Sequence, residues 1–273
     1  MADGGTEISA AAFVVRCALE SDYAAFAALY PELKVNDSVP GRHVWEAEIA
    51  PFAWVAAVGD EVVGYCYCQE YDDTGYVRNL VVAAHARRRG VGRALMETTA
   101  AHLRQKGRQL WCLNVKADNE AALALYEGMG LRIQYALVSL RLPWQALAAI
   151  PDGQAVVRRL DPARDAAIES RFMLPRGQLA FARGLNRLLF EAVAASDEPA
   201  GLAVFDPGFP GAFPFRVADL DALAPLLRTI RSHARPDDPF VRLVAEDDPR
   251  LVELLVRAGA EVREEMLHLK GPL

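Results

Sequence analysis

The chain has 273 residues, enough for more than one ordinary domain, and 52% of them are hydrophobic, which can supply substantial cores. Its formal net charge of −6 at pH 7 argues against nucleic-acid binding, which needs a basic face. No apolar run approaches the roughly 20 residues that span a bilayer, and residues 1–12 lack the basic start of a secretory signal, so we expect no membrane contact and no secretion.

The first third of the chain predicts a strand, a helix and three further strands. Residues 1–12 read as a flexible tail. Ser21 or Asp22 can cap the helix, which ends before Pro31. A tight hairpin is predicted at residues 59–61, where Gly and Asp favour a turn. The predicted strands are residues 13–17, 53–58, 62–68 and 75–82.

An arginine- and glycine-rich turn joins the last of these strands to a long helix predicted at residues 92–106. Gly90 and Gly92 lack a Cβ, so a ligand can approach the backbone closely. The free N–H groups of the first helical turn and the positive end of the helix dipole attract an anion. Residues 87–89 are all arginine and add charge-assisted donors. The turn therefore predicts a phosphate site, and its alternative interpretation is an ordinary basic helix start.

A second strand and helix follow this turn. Residues 110–115 form an apolar strand, and Asp118 or Asn119 can cap the next helix. Tyr126 lies on the apolar face of that helix, and Gly130 can end it. A last hairpin is predicted at residues 131–142. Taken alone, Asn119 reads as a helix cap and Tyr126 as an aromatic packing residue.

The two segments together resemble the GNAT superfamily of CoA-dependent N-acyltransferases over about residues 13–142. The matching motifs are Arg87-x-x-Gly90-x-Gly92 and the later block of Asn119, Leu125-Tyr126 and Gly130-Leu131. The resemblance implies an α/β fold with a mixed, mostly antiparallel sheet flanked by helices. It also implies acetyl-CoA as the acyl donor and no metal. One departure is Leu131, where relatives usually have Phe.

The resemblance also implies residue roles. Backbone N–H groups of Leu80 and Val82 face the pantetheine or the thioester carbonyl, where donors to a developing oxyanion contribute most to catalysis. Tyr126 matches the family's general acid, and a phenol with an ordinary pKa of about 10 is protonated at neutral pH. The predicted cofactor-binding residues are Leu80, Val81, Val82, Arg87, Arg88, Arg89, Gly90, Val91, Gly92, Arg93, Asn119 and Tyr126.

The acceptor implied by the family is a primary amine, on a small molecule or a peptide, which attacks the thioester directly in a ternary complex. An alkylamine with a pKa near 10.4 is almost fully protonated at pH 7, so a base is expected. Several relatives use a glutamate where this chain has Tyr76, and the base stays unassigned. Five carboxylates could border the acceptor site or be ordinary solvated charges: Glu46, Glu48, Glu70, Asp72 and Asp73. Three aromatic residues could line it or fill core: Trp45, Phe52 and Trp54.

The second half of the chain repeats the pattern of the first after a boundary near residue 150. It has no arginine loop, and Asp219 stands at the corresponding helix start, where a carboxylate repels phosphate. Asp248 replaces Asn119, and Leu255 replaces Tyr126. The sequence thus predicts two GNAT-like domains in tandem, a catalytic one at 13–148 and a degenerate one at 151–273 that does not bind CoA.

The cysteines indicate a reducing, cytoplasmic location. All four, Cys17, Cys66, Cys68 and Cys112, fall within predicted strands and read as reduced, buried thiols. The five histidines show no ligand spacing, so no metal is expected. Two other functions remain open: a catalytically silent acyl-CoA-binding regulatory module, and a scaffold in which the arginine turn only starts a helix. The oligomeric state has no signal in the sequence.

Overall fold

Residues 13–35 and 38–273 are described by a computed structural model, and their contacts divide them into two units. The N-terminal unit holds the described residues up to Glu70, together with Gly75–Gly107 and Leu273. The C-terminal unit holds Tyr71–Thr74 and Arg108–Pro272. The predicted flexible tail, residues 1–12, lies outside the described residues.

The N-terminal unit is built on an antiparallel sheet in the order β1-β2-β3-β4. Its strands are β1 (Val14–Cys17), β2 (Ala53–Val58), β3 (Glu61–Glu70) and β4 (Thr74–Val82). Its helices are α1 (Tyr23–Leu29), α2 (Arg42–Val44) and α3 (Val91–Gln105), and a π-helical turn, Trp45–Ile49, continues α2. The predicted β2–β3 hairpin forms, with Gly59 at a φ of 58° that suits glycine.

Helices cover both faces of this sheet. Tyr65 and Cys66 are neighbours on β3, so their side chains point to opposite faces. Phe26 of α1 packs on Tyr65, with ring centroids 5.2 Å apart. On the other face, Thr99 of α3 donates a hydrogen bond to the Cys66 sulfur at 3.3 Å. The apolar stripe of α3 is buried against that face.

The C-terminal unit contains a mixed sheet in the order β5-β12-β6-β11-β10-β9-β8-β7. Its strands are β5 (Leu110–Lys116), β6 (Arg132–Pro143), β7 (Val156–Arg159), β8 (Leu188–Val193), β9 (Pro199–Asp206), β10 (Gly211–Val217), β11 (Phe240–Glu246) and β12 (Glu261–Pro272). Its helices are α4 (Glu120–Glu127), α5 (Asp165–Arg171), α6 (Gln178–Gly184), α7 (Leu223–His233) and α8 (Pro249–Ala258). The β10–β11 pair is parallel, and the other neighbouring strands of this unit pair antiparallel.

One prediction about this sheet is wrong. The sequence indicated a hairpin at residues 131–142, but Arg132–Pro143 is a single strand, β6. Its antiparallel partner is β12, which enters from the end of the chain and also pairs with β5. On its other side, β6 pairs with β11. The last strand of each half, β6 in the first and β12 in the second, therefore pairs with strands of the other half.

The order of elements in the second half repeats the order in the first. The first half runs in the order β1, α1, α2, β2, β3, β4, α3, β5, α4 and β6. The second half runs in the matching order β7, α5, α6, β8, β9, β10, α7, β11, α8 and β12. The paired helices α4 and α8 are capped alike, since Asn119 accepts from the Ala122 N–H and Asp248 from the Leu251 N–H. The repeat is therefore one of local structure as well as of sequence pattern.

The cysteine prediction is correct for three thiols and wrong for one. Cys66, Cys68 and Cys112 are buried free thiols, whereas Cys17 is a free thiol exposed on β1. Cys17 is the last residue of β1, which lies at the edge of the sheet. Within residues 13–35 and 38–273, no helix is long and apolar enough to cross a membrane.

Candidate functional site

The strand that leads to the arginine turn carries a β-bulge. Along β3 and β4, Tyr67 is opposite Asn79, but the next residue, Cys68, is opposite Val77. Arg78 is therefore an extra residue, and its guanidinium lies over the Tyr76 ring, 4.9 Å from the centroid. A bulge bends the strand and changes the direction of the backbone groups that follow it.

The predicted residues of β4 lie just beyond this bulge. Val81 is buried and opposite Tyr65, while Leu80 and Val82 are half-buried. The strand stops at Val82, and the N–H of the next residue, Ala83, still bonds to the Val63 carbonyl at 2.8 Å. The loop thus starts from a fixed strand end.

The loop between β4 and α3 changes backbone handedness twice. Arg88 has a φ of 64° and Gly90 a φ of 83°, both in the left-handed region. A non-glycine residue in that region is strained, and such strain often occurs at ligand sites. The first intrahelical bond of α3 runs from the Ala94 N–H to the Gly90 carbonyl at 3.0 Å, so the N–H groups of residues 91–93 precede the helical ladder. A Cβ added at Gly90 would meet no atom within 4 Å, so the backbone here faces open space.

The four arginines of the loop are not equivalent. Arg88 and Arg89 are exposed, and neither has a carboxylate partner among the residues that the structure describes. Arg93 lies 3.9 Å from Glu97 one turn along α3. Arg87 is engaged on two sides, because its Nε donates to the Val82 carbonyl at 3.0 Å and its guanidinium pairs with Glu32 at 2.6 Å. Free positive charge is therefore concentrated at residues 88 and 89.

The second predicted block lies in the C-terminal unit. Asn119 caps α4 through a 3.2 Å bond from the Ala122 N–H, as its position predicts. Tyr126 is in the last turn of α4 and is only 7% exposed. Its carbonyl accepts the Leu131 N–H at 3.1 Å, across a turn in which Gly130 has a φ of 90°. These bonds fix the backbone that carries the phenol.

The candidate carboxylates have separate environments. Glu70 bonds His102 at 2.8 Å on the α3 side, and Glu46 lies 3.5 Å from Arg42. Glu48 is on the π-helical turn. Burial raises the pKa of Tyr67, and the charge of Glu48 adds a smaller contribution. Asp72 and Asp73 belong to the β3–β4 turn, which the C-terminal unit contains. No single one of the five is thereby identified as the base.

The aromatic residues near the acceptor segment prove to be mostly core. Trp45 is fully buried and stacks on Phe26 with ring centroids 4.6 Å apart, and its Nε1 donates to the Leu19 carbonyl. Trp54 is 6% exposed and packs against the His102 ring. Phe52 is half-buried. For Trp45 and Trp54, packing is the observed role.

In the second half, the positions that match the site have structural partners. Asp219 accepts the Asp221 N–H at 3.0 Å and so caps the turn before α7. Leu255, which stands where the first half has Tyr126, is fully buried in the apolar core. These residues supply packing and capping, with no excess positive charge.

A polar row that the sequence did not reveal crosses five neighbouring strands of the C-terminal unit. Its members are Asn114 (β5), His268 (β12), Tyr135 (β6), Glu246 (β11) and Arg216 (β10). His268 Nδ1 lies 2.8 Å from the Asn114 amide oxygen, and its ring stacks on Tyr135 at 4.7 Å. The Tyr135 hydroxyl donates to Glu246 at 3.0 Å, and Glu246 pairs with Arg216. Burial is the main cause that lowers the pKa of His268 to about 4 and raises that of Tyr135.

Among the described residues, no group of three or more His, Cys, Asp or Glu side chains could hold a metal ion.

The mixed sheet and helices present a glycine- and arginine-rich loop after β4, and this fold is similar to that of solved GNAT proteins. A GCN5-related N-acetyltransferase from Sphaerobacter thermophilus superimposes with a TM-score of 0.69 at 18% identity, covering 95% of each chain. A tandem GNAT protein from the clavulanic acid biosynthesis pathway superimposes with a TM-score of 0.61 at 20% identity, covering 96% of this chain and 98% of its own. Both likenesses concern the fold.

Residues 16–131 match the Acetyltransferase (GNAT) family. The [Ribosomal protein bS18]-alanine N-acetyltransferase of Salmonella typhimurium is 35% identical over 71 residues, which are 26% of this chain and 48% of that protein. The chain spans less than half the length of the curated relatives that it matches.

Proposed function

We propose that this protein transfers an acetyl group from acetyl-CoA to a primary amine, on a small molecule or a peptide, by direct attack in a ternary complex. The observation that carries the proposal is the loop from Val82 to Val91. It combines two residues with positive φ, a helix start whose first N–H groups are free, and two arginines with no carboxylate partner among the described residues. That the cysteines are free thiols supports a cytoplasmic setting.

The residues present fit acetyl-CoA. Open space beside Gly90 leaves room for a diphosphate against the backbone, and a side chain there would fill it. The N–H groups of residues 91–93 and the side chains of Arg88 and Arg89 supply donors and positive charge. Within this proposal, Leu80, Val81, Val82 and Asn119 complete the binding residues.

Bound acetyl-CoA supplies an acyl group activated as a thioester. We assign to the backbone N–H groups of Leu80 and Val82 the role of donors to the thioester carbonyl or the pantetheine. We assign to the Tyr126 hydroxyl the delivery of a proton to the departing sulfur. The burial of Tyr126 and the fixed backbone around it support this role.

The first domain in this proposal is residues 13–148, and residues 151–273 form a degenerate domain without a CoA site. The capping role of Asp219 and the core position of Leu255 support the second part. A carboxylate at a helix start opposes the binding of a phosphate.

Isothermal titration of acetyl-CoA into the 273-residue chain tests the proposal. We expect one site per chain. Two sites would show that residues 151–273 also bind CoA, and no binding would reduce the arginine loop to a structural helix start. Where one site is found, turnover is then measured with a panel of amines that includes a peptide with an N-terminal alanine, since a relative is named for that acceptor.

A second candidate function is a catalytically silent acyl-CoA-binding module. The observation that favours it is Tyr76, which stands where several relatives have a glutamate and is only 5% exposed. This function predicts binding of acetyl-CoA with no transfer to any amine of the panel, whereas the enzyme transfers to at least one.

A further inference from the structure

We propose that Glu32 is a positioning residue for the acetyl-CoA loop. It holds the Arg87 guanidinium in place, and Arg87 in turn holds the end of β4, so that Arg87 acts as a brace and not as a phosphate ligand. This inference rests on the proposed function, because it concerns the same loop.

The geometry that carries the inference is a chain of two contacts within the N-terminal unit. Glu32 lies in a 3-10 turn, Tyr30–Leu33, that directly follows α1. Its carboxylate meets the Arg87 guanidinium at 2.6 Å, and Arg87 Nε donates to the Val82 carbonyl at 3.0 Å. Val82 is the last residue of β4, where the loop begins. The two contacts therefore fasten the start of the loop to the segment after α1.

The charges lead to the same conclusion. Arg87 and Glu32 form a neutral pair, so Arg87 brings no net positive charge to a bound phosphate. The Glu32 carboxylate also repels an anion that approaches this guanidinium. Arg88 and Arg89, which lack such a partner among the described residues, can neutralise a phosphate without first losing an ion pair. The loop thus divides its arginines between bracing and binding.

Glu32→Gln tests the inference because the two possible roles of Arg87 predict opposite changes. If Arg87 bound phosphate directly, loss of Glu32 would free it, and acetyl-CoA would bind more tightly. If Arg87 is a brace, loss of Glu32 loosens the loop and weakens the binding of acetyl-CoA by about fivefold. This is the effect expected for one partly exposed charged hydrogen bond. The readout is the dissociation constant by isothermal titration, at low salt and at about 0.5 M salt.

Three further variants complete the experiment. Glu97→Gln is the matched control, because it removes a carboxylate beside Arg93 on the same helix without touching Arg87. Arg87→Gln and the double variant with Glu32→Gln form a mutant cycle, in which we expect the double variant to bind no more weakly than either single one. S-acetylpantetheine, which lacks the phosphates, serves as a second acyl donor, and Glu32→Gln is expected to lower its kcat/KM by less than it lowers that of acetyl-CoA.

The inference is overturned if Glu32→Gln binds acetyl-CoA as tightly as the unaltered protein or more tightly, or if the two single effects add. Equal weakening by Glu97→Gln would also overturn it, since the weakening would then not depend on the contact with Arg87. A thermal melt of each variant checks that the fold is intact. If the unaltered protein itself does not bind acetyl-CoA, the proposed function fails, which is a separate result.

Discussion

Tyr126 carries the chemical step of the proposed function, and its surroundings suit a group that must be held in one position. It is buried in the last turn of α4, where its own carbonyl accepts a bond from the Leu131 N–H. A general acid contributes only when its proton lies within hydrogen-bond reach of the leaving group. Because the backbone that carries it is fixed, the Tyr126 phenol can be held in one position relative to the leaving group.

Tyr126→Phe is expected to lower kcat by about 10²-fold or more, the usual contribution of a positioned general acid, and to leave the dissociation constant of acetyl-CoA within about twofold. Steady-state kinetics and isothermal titration measure the two quantities. Tyr135→Phe is the matched control, since that hydroxyl donates to Glu246 and has no assigned role in transfer. Full turnover in Tyr126→Phe would show that another group protonates the sulfur.

His268 makes the stability of the protein depend on pH. Burial holds its folded pKa at about 4, against 6.5 for an unperturbed imidazole; Glu246 opposes this shift, and Lys270 and Arg216 add to it. Between these values the unfolded chain binds a proton that the folded one does not. Stability is therefore expected to fall as pH drops from about 7 to about 4, by up to about 3 kcal/mol from this residue, and to show no further loss from it at lower pH.

The measurement is urea unfolding at a series of pH values between 7 and 4. His268→Gln is expected to show a shallower decline than the unaltered protein, and the difference between the two curves isolates this residue from the carboxylates that titrate in the same range. His233→Gln, at an exposed histidine of the same unit, is the control. Parallel curves for His268→Gln and the unaltered protein would contradict the assigned cause.

At the scale of elements, α3 has a left-handed glycine at each end, and only one of them belongs to the proposed site. Gly90 precedes the helix with a φ of 83°, and Gly107 follows it with a φ of 75°. A Cβ at either position would meet no atom within 4 Å. The two glycines therefore carry the same kind of backbone requirement, and a comparison between them separates strain from binding.

Gly90→Ala and Gly107→Ala are each expected to destabilise the protein by about 1 kcal/mol through left-handed strain. Only Gly90→Ala is expected to weaken acetyl-CoA binding, because its methyl group occupies the space beside the backbone. Thermal melts and isothermal titration provide the two readouts. Equal affinity in both variants would remove Gly90 from the binding site.

At the scale of the whole molecule, the sequence predicts which segments form strands and helices better than it predicts which strands pair. The apolar residues of 131–142 predict extended structure, but the pattern contains no information about which strands pair with it. One signal against a hairpin was present: no Gly, Asn or Asp interrupts residues 132–142. The insertion of β12 depends on contacts distant in sequence, so local patterns could not reveal it.

The candidate site likewise contains some residues that the sequence predicts and others that it does not. The motif residues of the arginine loop are local, and the sequence placed them correctly after a strand and at a helix start. The sequence pattern does not reveal Glu32 or the polar row that contains Asn114 and His268, because their partners come from distant segments. Arg87 looked like the other loop arginines in sequence, and only its contact with Glu32 distinguishes it.

The exchange of β12 predicts that residues 1–148 do not form a stable domain alone, since β5 and β6 would lack the strand between them. Because Glu261 lies opposite Arg141, the end of β6 meets the start of β12. A short Asn-Gly turn should therefore join residue 143 to residues 261–273 as a hairpin. We expect this fused chain to be more soluble and to unfold more cooperatively than residues 1–148. Gel filtration and circular dichroism compare the two, and equal behaviour would contradict the prediction.

The position of β12 along the chain also affects how the protein is made. A ribosome that has finished β5 and β6 must translate the whole second half before the strand that pairs with both is available, a delay of roughly 6 to 26 seconds at ordinary elongation rates. During that time the nascent chain presents unpaired strand edges, which are templates for aggregation. Translation speed and chaperone supply should consequently influence the yield of this protein, even though its completed sheet has β12 in place.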